Sequence, residues 1–398
     1  MRKFIFTSLL VSPFVFLLNS CASEELRSEN SPEQMAVANK SVIVRSNAWV
    51  NNPYKLNVVY FIPSDNDSVP GFRERISKIL LEEQKLIAQS MIREGYGNKS
   101  FGLNLINDSL VNIYVVKGNK DKQFYSYSNR GIAQPEMIKE INNYYTQNSG
   151  KKLSDHNLII LPSATGDPVK PGGVPFNGYG LNCFALDFPY LDYNNLGKAG
   201  QIGSLATTWV GGLFHELGHG LGDNLFHNWG TKSLRLSYGT ALMGASNSVL
   251  GKSPVFVTPV SAAILNNSQT FSTTTRTDWY KGINLNLSSL TSTFEDNKII
   301  LKGKFTADAT VTNVLAYHDK KPYGVNYDYD SVTFLTKPNS NNEFTIECAL
   351  NEFQGSNSDI NGEYQLRLYF LFANGSKKTE TFLYSITNNI PSLTQVKK

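Results

Sequence analysis

The sequence predicts an α+β protein in which a mixed helix–strand domain is followed by an antiparallel β-sandwich. Three observations lead there. The chain has 398 residues, which at about 150 residues per domain calls for more than one. Up to about residue 272, apolar strand-like runs alternate with long helical periodicities. Beyond it only short strand patterns remain, separated by turn residues, as in a sandwich.

In chain order, Leu56 to Ile62 reads as a buried strand. Pro70 opens an amphipathic helix over Phe72 to Glu94, with Ile76, Leu80, Ile87 and Met91 on one face and Gly95 and Gly97 at its end. Strands follow at Phe101–Ile106 and Val111–Val116, then a helix at Pro135–Gln147 and a buried strand at Leu158–Leu161. Residues 163–182 are rich in Gly and Pro and read as a loop. Cys183–Phe188 reads as a short strand and 204–221 as a helix. Thr273 to Thr277 is a polar joint. The sandwich strands are expected at Lys298–Phe305, Thr310–Tyr317, Phe344–Leu350, Tyr364–Phe372 and Thr379–Ile386, the last two joined by an Asn374-Gly375 hairpin.

Residues 1–20 read as an export signal. Arg2 and Lys3 precede an apolar run, Phe4 to Leu18, too short to favour a transmembrane span. It ends in Leu18-Asn19-Ser20-Cys21, which resembles a bacterial lipoprotein signal and implies lipidation of Cys21. The acidic start of the mature chain, Cys21-Ala22-Ser23-Glu24-Glu25, resembles the surface-export signals of Bacteroidetes lipoproteins. Residues 21–40 read as a flexible tether. The expected location is the cell envelope of a bacterium, lipid-anchored on the periplasmic face or the cell surface. Cys183 and Cys348 are placed in different domains; Cys348 lies on the apolar side of its strand, so a buried core thiol is expected there, and a disulfide, open to an exported protein, has no support from the spacing.

Composition excludes some partners. Removing residues 1–20 removes Arg2 and Lys3, leaving 35 basic against 33 acidic residues, a charge of +2. Without a basic cluster, nucleic acid is not expected as a partner.

The chemistry concentrates in His215-Glu216-Leu217-Gly218-His219-Gly220-Leu221-Gly222-Asp223-Asn224-Leu225-Phe226-His227. Three of the five His in the chain fall in this stretch. His215 and His219 stand four apart on a helix, so both imidazoles leave one face and can hold one metal. Glu216 is one residue round and can reach a water on that metal. This HExxH pattern is how zinc hydrolases pair a Lewis acid with a general base. Leu205, Trp209, Leu213 and Leu217 are expected to face the core. No Glu occurs between Glu216 and Glu295, so a third ligand from a Glu on a later helix, as in gluzincins, is excluded within the domain. His227 and Asp223 remain. His227 is favoured, because imidazole is a common zinc donor and a loop lengthens freely.

His215, Glu216, His219 and Gly222 match the motif HExxHxxGxxH, and the chain resembles the metzincin clan of zinc peptidases over about residues 55–272. The family's third ligand would fall at Leu225, which cannot bind zinc. A two-residue bulge after Gly222 would bring His227 into its place. Gly222 itself would supply the turn through a positive φ. Met243, in Ser237–Gly244, matches the clan's Met-turn, and Thr258–Leu265 resembles its closing helix. The resemblance implies a zinc metallopeptidase domain at 41–272, a twisted mixed sheet carrying the active-site helix; it does not reach the Ig-like sandwich at 278–390, which is read from the strand pattern alone. It implies an endopeptidase with one catalytic zinc on His215, His219 and His227, and Glu216 as general base toward a zinc-bound water. Substrate, a polypeptide or glycoprotein, is expected along Cys183–Phe188 by strand addition, and the sandwich would bind substrate or surface glycan. The alternatives are a non-catalytic zinc-containing surface lipoprotein and a zinc amidase on cell-wall or glycan-linked substrates. His156 and His318 read as structural or exposed.

Overall fold

Asn57–Ile62 (β1) is buried along its whole length, and after Asn57 it is a run of β-branched and aromatic residues. In the computed structural model, which describes residues 49, 51–323, 328–354 and 359–398, it is an interior strand of a five-stranded sheet. The export signal, Cys21 and the tether lie outside the described residues. A small hairpin of Leu105–Asn107 (β2) and Leu110–Val111 (β3) precedes Ile113–Lys117 (β4). With Asn157–Pro162 (β5), Asn177–Tyr179 (β6) and Asn182–Asp187 (β7), the sheet order is β4-β1-β5-β7-β6. The first four of these strands are parallel; β6 runs antiparallel at one edge. Parallel strands covered on both faces need continuous apolar sequence, which β1 and β5 supply.

Helix α1 (Phe72–Arg93) buries Ile76, Leu80, Ile87 and Met91 in the core over this sheet, as its periodicity predicts. Helix α2 spans Arg130–Gln147 and contains Pro135, so it begins earlier than the proline implied. Helix α3 spans Gly200–Leu221 and packs on β7 and β6. Its buried stripe is Ala206, Val210, Leu213, Phe214, Leu217 and Leu221; Leu205 and Trp209 are only half-buried, a correction of the expected face. Helices α4 (Lys232–Tyr238), α5 (Ser246–Val249) and α6 (Pro259–Asn266) follow, with the two-residue strands β8 (Thr240–Ala241) and β9 (Val255–Phe256) paired between them. Thr258 caps α6 by accepting from the Ser261 amide, with proline in the first turn.

The C-terminal part is all antiparallel. Leu285–Glu295 (β10), Lys298–Ala307 (β11) and Glu343–Ala349 (β14) form one sheet. Val311–Lys320 (β12), Val332–Thr336 (β13), Gly362–Phe372 (β15), Lys377–Thr387 (β16) and Ile390–Ser392 (β17) form the other. Sequence reading missed β10, β13 and β17. β10 is dominated by Ser and Thr on its exposed face, and a register shift between Leu287 and Ser289 puts Leu287 and Leu290, three apart, on the buried face, so no two-residue alternation shows in the sequence.

Strands β12 and β15 are buried on both faces. Val314, Leu366 and Phe370 point into the sandwich core with Leu301, Phe305 and Ile346. Leu315, Tyr317, Tyr369 and Leu371 point the other way and join the core of the α+β part. The two parts are therefore bonded by hydrophobic packing, and α3 ends close to that joint. Cys183 and Cys348 are buried and unpaired. No described helix is long and apolar enough to cross a membrane.

Candidate metal centre

Helix α3 carries His215, Glu216 and His219 at its C-terminal end. The chain then reverses. Gly222 has an ordinary φ of −104°, and the left-handed residues are Asp223 (φ 49°) and Asn224 (φ 59°). Asp and Asn tolerate that region better than most side chains. The expected turn at Gly222 is thus corrected: this glycine serves by its size, since a Cβ there would lie 2.7 Å from the Leu225 Cβ. Leu225, at the position the metzincin spacing gives to a ligand, is a buried core residue. Its carbonyl receives the Nδ1 proton of His219.

Two residues further on, His227 comes back to the helix. Its Nε2 lies 3.1 Å from Nε2 of His219, and His215, His219 and His227 each offer a ligand atom within 4.8 Å of the others. The three Nδ1 atoms are all engaged. His215 Nδ1 is 2.9 Å from the Leu242 carbonyl, His219 Nδ1 meets that of Leu225, and His227 Nδ1 is 2.8 Å from Asp328 Oδ1. Each Nδ1 therefore carries the proton, and each Nε2 presents a lone pair. Two lone pairs facing each other at 3.1 Å repel unless a cation lies between them. Tetrahedral zinc with nitrogen ligands at about 2.05 Å would set neighbouring donors about 3.3 Å apart. The residues present fit a metal ion. Burial, then the neighbouring His227, pushes the His215 pKa down to about 3, and burial with both neighbours pushes His219 well down. Neutral imidazoles are what a metal requires.

Glu216 is held beside the triad. Its Oε2 accepts from the Gly178 amide at 2.9 Å, and burial pushes its carboxyl up to about 8. Gly178 sits in the middle of edge strand β6, packed so closely on α3 that a Cβ would lie 2.3 Å from the His219 Cβ. The edge strand nearest the triad is therefore β6, with its Gly178 amide engaged by Glu216 and its Gly178 carbonyl by Asn177 Nδ2. The expected substrate strand, Cys183–Phe188, is β7: it lies between β5 and β6 and is almost wholly buried. Past Gly178, Phe176 and Trp209 pack edge to face with centroids 5.0 Å apart, half-buried beside β6. Tyr179 is exposed.

Met243 packs its Sδ against Gly218, where a Cβ would approach it to 2.6 Å, and its carbonyl accepts from the Asn228 amide. The segment around it thus supports two of the three His. Asp223 stays outside the cluster, and Lys377 donates to its carbonyl. Tyr238 is partly exposed and lies at the end of α4. Sequence reasoning missed Gly178, Asp328 and Tyr329, whose ring stacks on His227 at 3.8 Å between centroids. Asp328 lies 101 positions from His227, beyond any local pattern. Gly178 was hidden inside a Gly-rich stretch read as loop.

No protein-family model matches the chain, and no curated protein matches it. The fold is similar to solved structures. Against wild-type OgpA from Akkermansia muciniphila the TM-score is 0.79 with 37% sequence identity, covering 84% of this chain and 94% of that one. A crystal structure of catalytically inactive OgpA, in complex with an O-glycopeptide (glycodrosocin) substrate, matches at TM-score 0.79 and 36% identity, covering 84% of this chain and 93% of that one.

Proposed function

The chain belongs to the OgpA family, and we propose that it is a zinc-dependent endopeptidase of metzincin type that cleaves the polypeptide of O-glycosylated substrates. The observation that carries the reading is the His215/His219/His227 triad, buried at His215 and His227 and half-buried at His219, with three Nε2 lone pairs and Glu216 beside it. The substrate class follows from the O-glycopeptide bound by OgpA.

A zinc ion on the three imidazoles would supply Lewis acidity toward a peptide carbonyl and a water. The chain's own residues do the rest. Glu216 takes a proton from the attacking water and passes it to the leaving amine. The Gly178 amide holds the Glu216 carboxylate in place. Edge strand β6 lies beside the triad and would border the path of an extended peptide, with Phe176 and Trp209 as an apolar wall beside it. Asp223 has no part in this scheme. Cys21, read from Leu18–Cys21 alone, would anchor the enzyme outside the cytoplasm; Cys21→Ser should move it to soluble fractions or leave the precursor unprocessed.

The deciding experiment offers the zinc-loaded chain, residues 22–398, an O-glycopeptide and its unglycosylated twin, with and without chelator, and reads products by mass. Chelator-sensitive cleavage of the glycosylated peptide alone is expected. Equal cleavage of both peptides would refute the substrate class. No cleavage by a chain that holds zinc would refute catalysis and leave a zinc-containing binding lipoprotein.

A further inference from the structure

We infer that the sandwich domain completes the metal centre: Asp328 is the residue that positions His227 as third ligand. This rests on the reading of the His triad as a metal site and extends it to a part of the chain outside the metzincin-like domain.

The three imidazoles are not held alike. His215 and His219 stand on a helix, and their Nδ1 protons go to backbone carbonyls of the same domain. His227 stands on the irregular stretch between α3 and α4, where no helix or strand fixes its backbone. Such a ligand needs outside support, and the sandwich supplies it at three points. Lys377, on β16, donates to the Gly222 and Asp223 carbonyls at the start of the stretch, 2.9 and 2.6 Å away. Asp328 accepts from His227 Nδ1 in its middle, and the Trp229 amide donates to the Ser331 carbonyl at 2.9 Å near its end.

Asp328 is itself fixed. It is 1% exposed, and its second oxygen accepts from Arg367 Nη2 at 3.2 Å. Arg367 reaches from β15 and lies over the rings of Phe226 and Tyr317. Next to Asp328, the Tyr329 ring stacks on His227 within 26° of parallel and sets the plane of the imidazole. A carboxylate on Nδ1 fixes the tautomer that leaves Nε2 for the metal and makes that nitrogen a better donor. The carboxylate and the stacked ring come from adjacent residues of one 3-10 turn, Asp328–Asp330. Asp328 is a positioning residue, acting only through His227.

The test strips the chain of metal and titrates it with Co²⁺, then with Zn²⁺ against a competing chelator. Asp328→Asn keeps size and an acceptor but removes the charge. Its Zn²⁺ dissociation constant should rise about 10- to 100-fold, and the visible Co²⁺ bands should change. In a His227→Ala background the same substitution should change affinity less than about 2-fold, because the partner is gone. Melting of the metal-free chain is followed in parallel. If Asp328→Asn lowers that melting temperature but leaves metal affinity and the Co²⁺ spectrum as in wild type, Asp328 merely ties the domains and the inference is wrong. An equal loss in the His227→Ala background would also overturn it. Independently of any variant, ¹⁵N-histidine NMR of the zinc-loaded wild type should show His227 protonated at Nδ1; metal at Nδ1 overturns the inference even if Asp328→Asn does not fold. A wild-type chain without metal affinity would instead remove the zinc reading itself, so the two failures are distinguishable.

Discussion

One methyl group at Gly178 should disable the site without replacing any proposed ligand or base. A Cβ built there lies 2.3 Å from the His219 Cβ and 3.0 Å from its Cγ. Carbon atoms settle at about 3.5–4.0 Å, so relief requires a displacement of about 1 Å or more. The His219 Cβ is fixed to the helix and cannot swing aside, so β6 must lift. The Gly178 amide is now 2.9 Å from Glu216 Oε2; a lift of about 1 Å breaks that bond. Losing a hydrogen bond to a charged group costs about 1.5–3 kcal/mol, and a 1 Å misplacement of a reacting group can cost about 10²-fold in rate. Gly178→Ala should therefore lower kcat/KM on the glycopeptide by about 10²-fold and stability by about 1–3 kcal/mol, with zinc retained. Gly131→Ala is the control, since a Cβ there meets nothing within 4 Å. Steady-state cleavage, metal analysis and chemical denaturation on both variants give the answer. A Gly178→Ala enzyme within about 3-fold of wild-type kcat/KM would show that β6 does not position Glu216, and the reasoning fails.

Glu216→Gln should keep zinc and lose about 10²-fold or more in turnover, read by metal analysis and the peptide assay. His227→Ala should abolish tight zinc binding while Asp223→Ala retains zinc and activity; the reverse result would move the third ligand to Asp223. Burial pushes the His318 pKa down to about 3, where its ring meets Tyr384 and Cys348. A lowered histidine pKa favours the neutral ring in the fold, so this stability is present above the unfolded pKa of about 6.5 and is lost as pH falls below it. Denaturation of the metal-free chain should show a loss of about 2 kcal/mol from this site between pH 6.5 and 5, absent in His318→Gln.

What was legible in the sequence is what short-range periodicity records. The four-residue spacing of His215 and His219 on one helix face, the buried face of α1 and the Asn374-Gly375 hairpin all follow from rules that act within a few turns. Errors arise where tertiary packing decides. Leu205 and Trp209 look like core residues by spacing, but Ala206 and Val210 take the buried side. β6 was read as loop because Asn177-Gly178-Tyr179-Gly180 has the composition of one; its glycine answers to the helix beneath, not to a turn. β12 and β15 showed their apolar runs, but not that their second face closes the core of the preceding domain.

The same packing explains why the spacing of the His motif departs from the metzincin pattern. Asp223 and Asn224 take up the two additional residues in left-handed conformations, so the chain has already reversed before Leu225. Leu225 then uses its side chain for the core and its carbonyl for His219. This leaves the proposed ligand role to His227, farther along an irregular stretch, where its orientation is not fixed by secondary structure. A domain carrying only that loop would lose conformational entropy on ordering His227 with little to offset it, on the scale of about 1–2 kcal/mol per backbone residue. The hydrogen bonds from Lys377, to Asp328 and to Ser331 offset that cost from outside. The lengthened loop and the attached sandwich are therefore parts of one arrangement. Deleting Asp223 and Asn224 would bring His227 to the spacing that the metzincin motif gives its third ligand; in this chain it should still weaken zinc binding, because it removes the His219–Leu225 bond and pulls His227 away from Asp328. Zinc affinity of that deletion variant is the measurement. Retention of wild-type affinity would show that the loop length and the sandwich are independent.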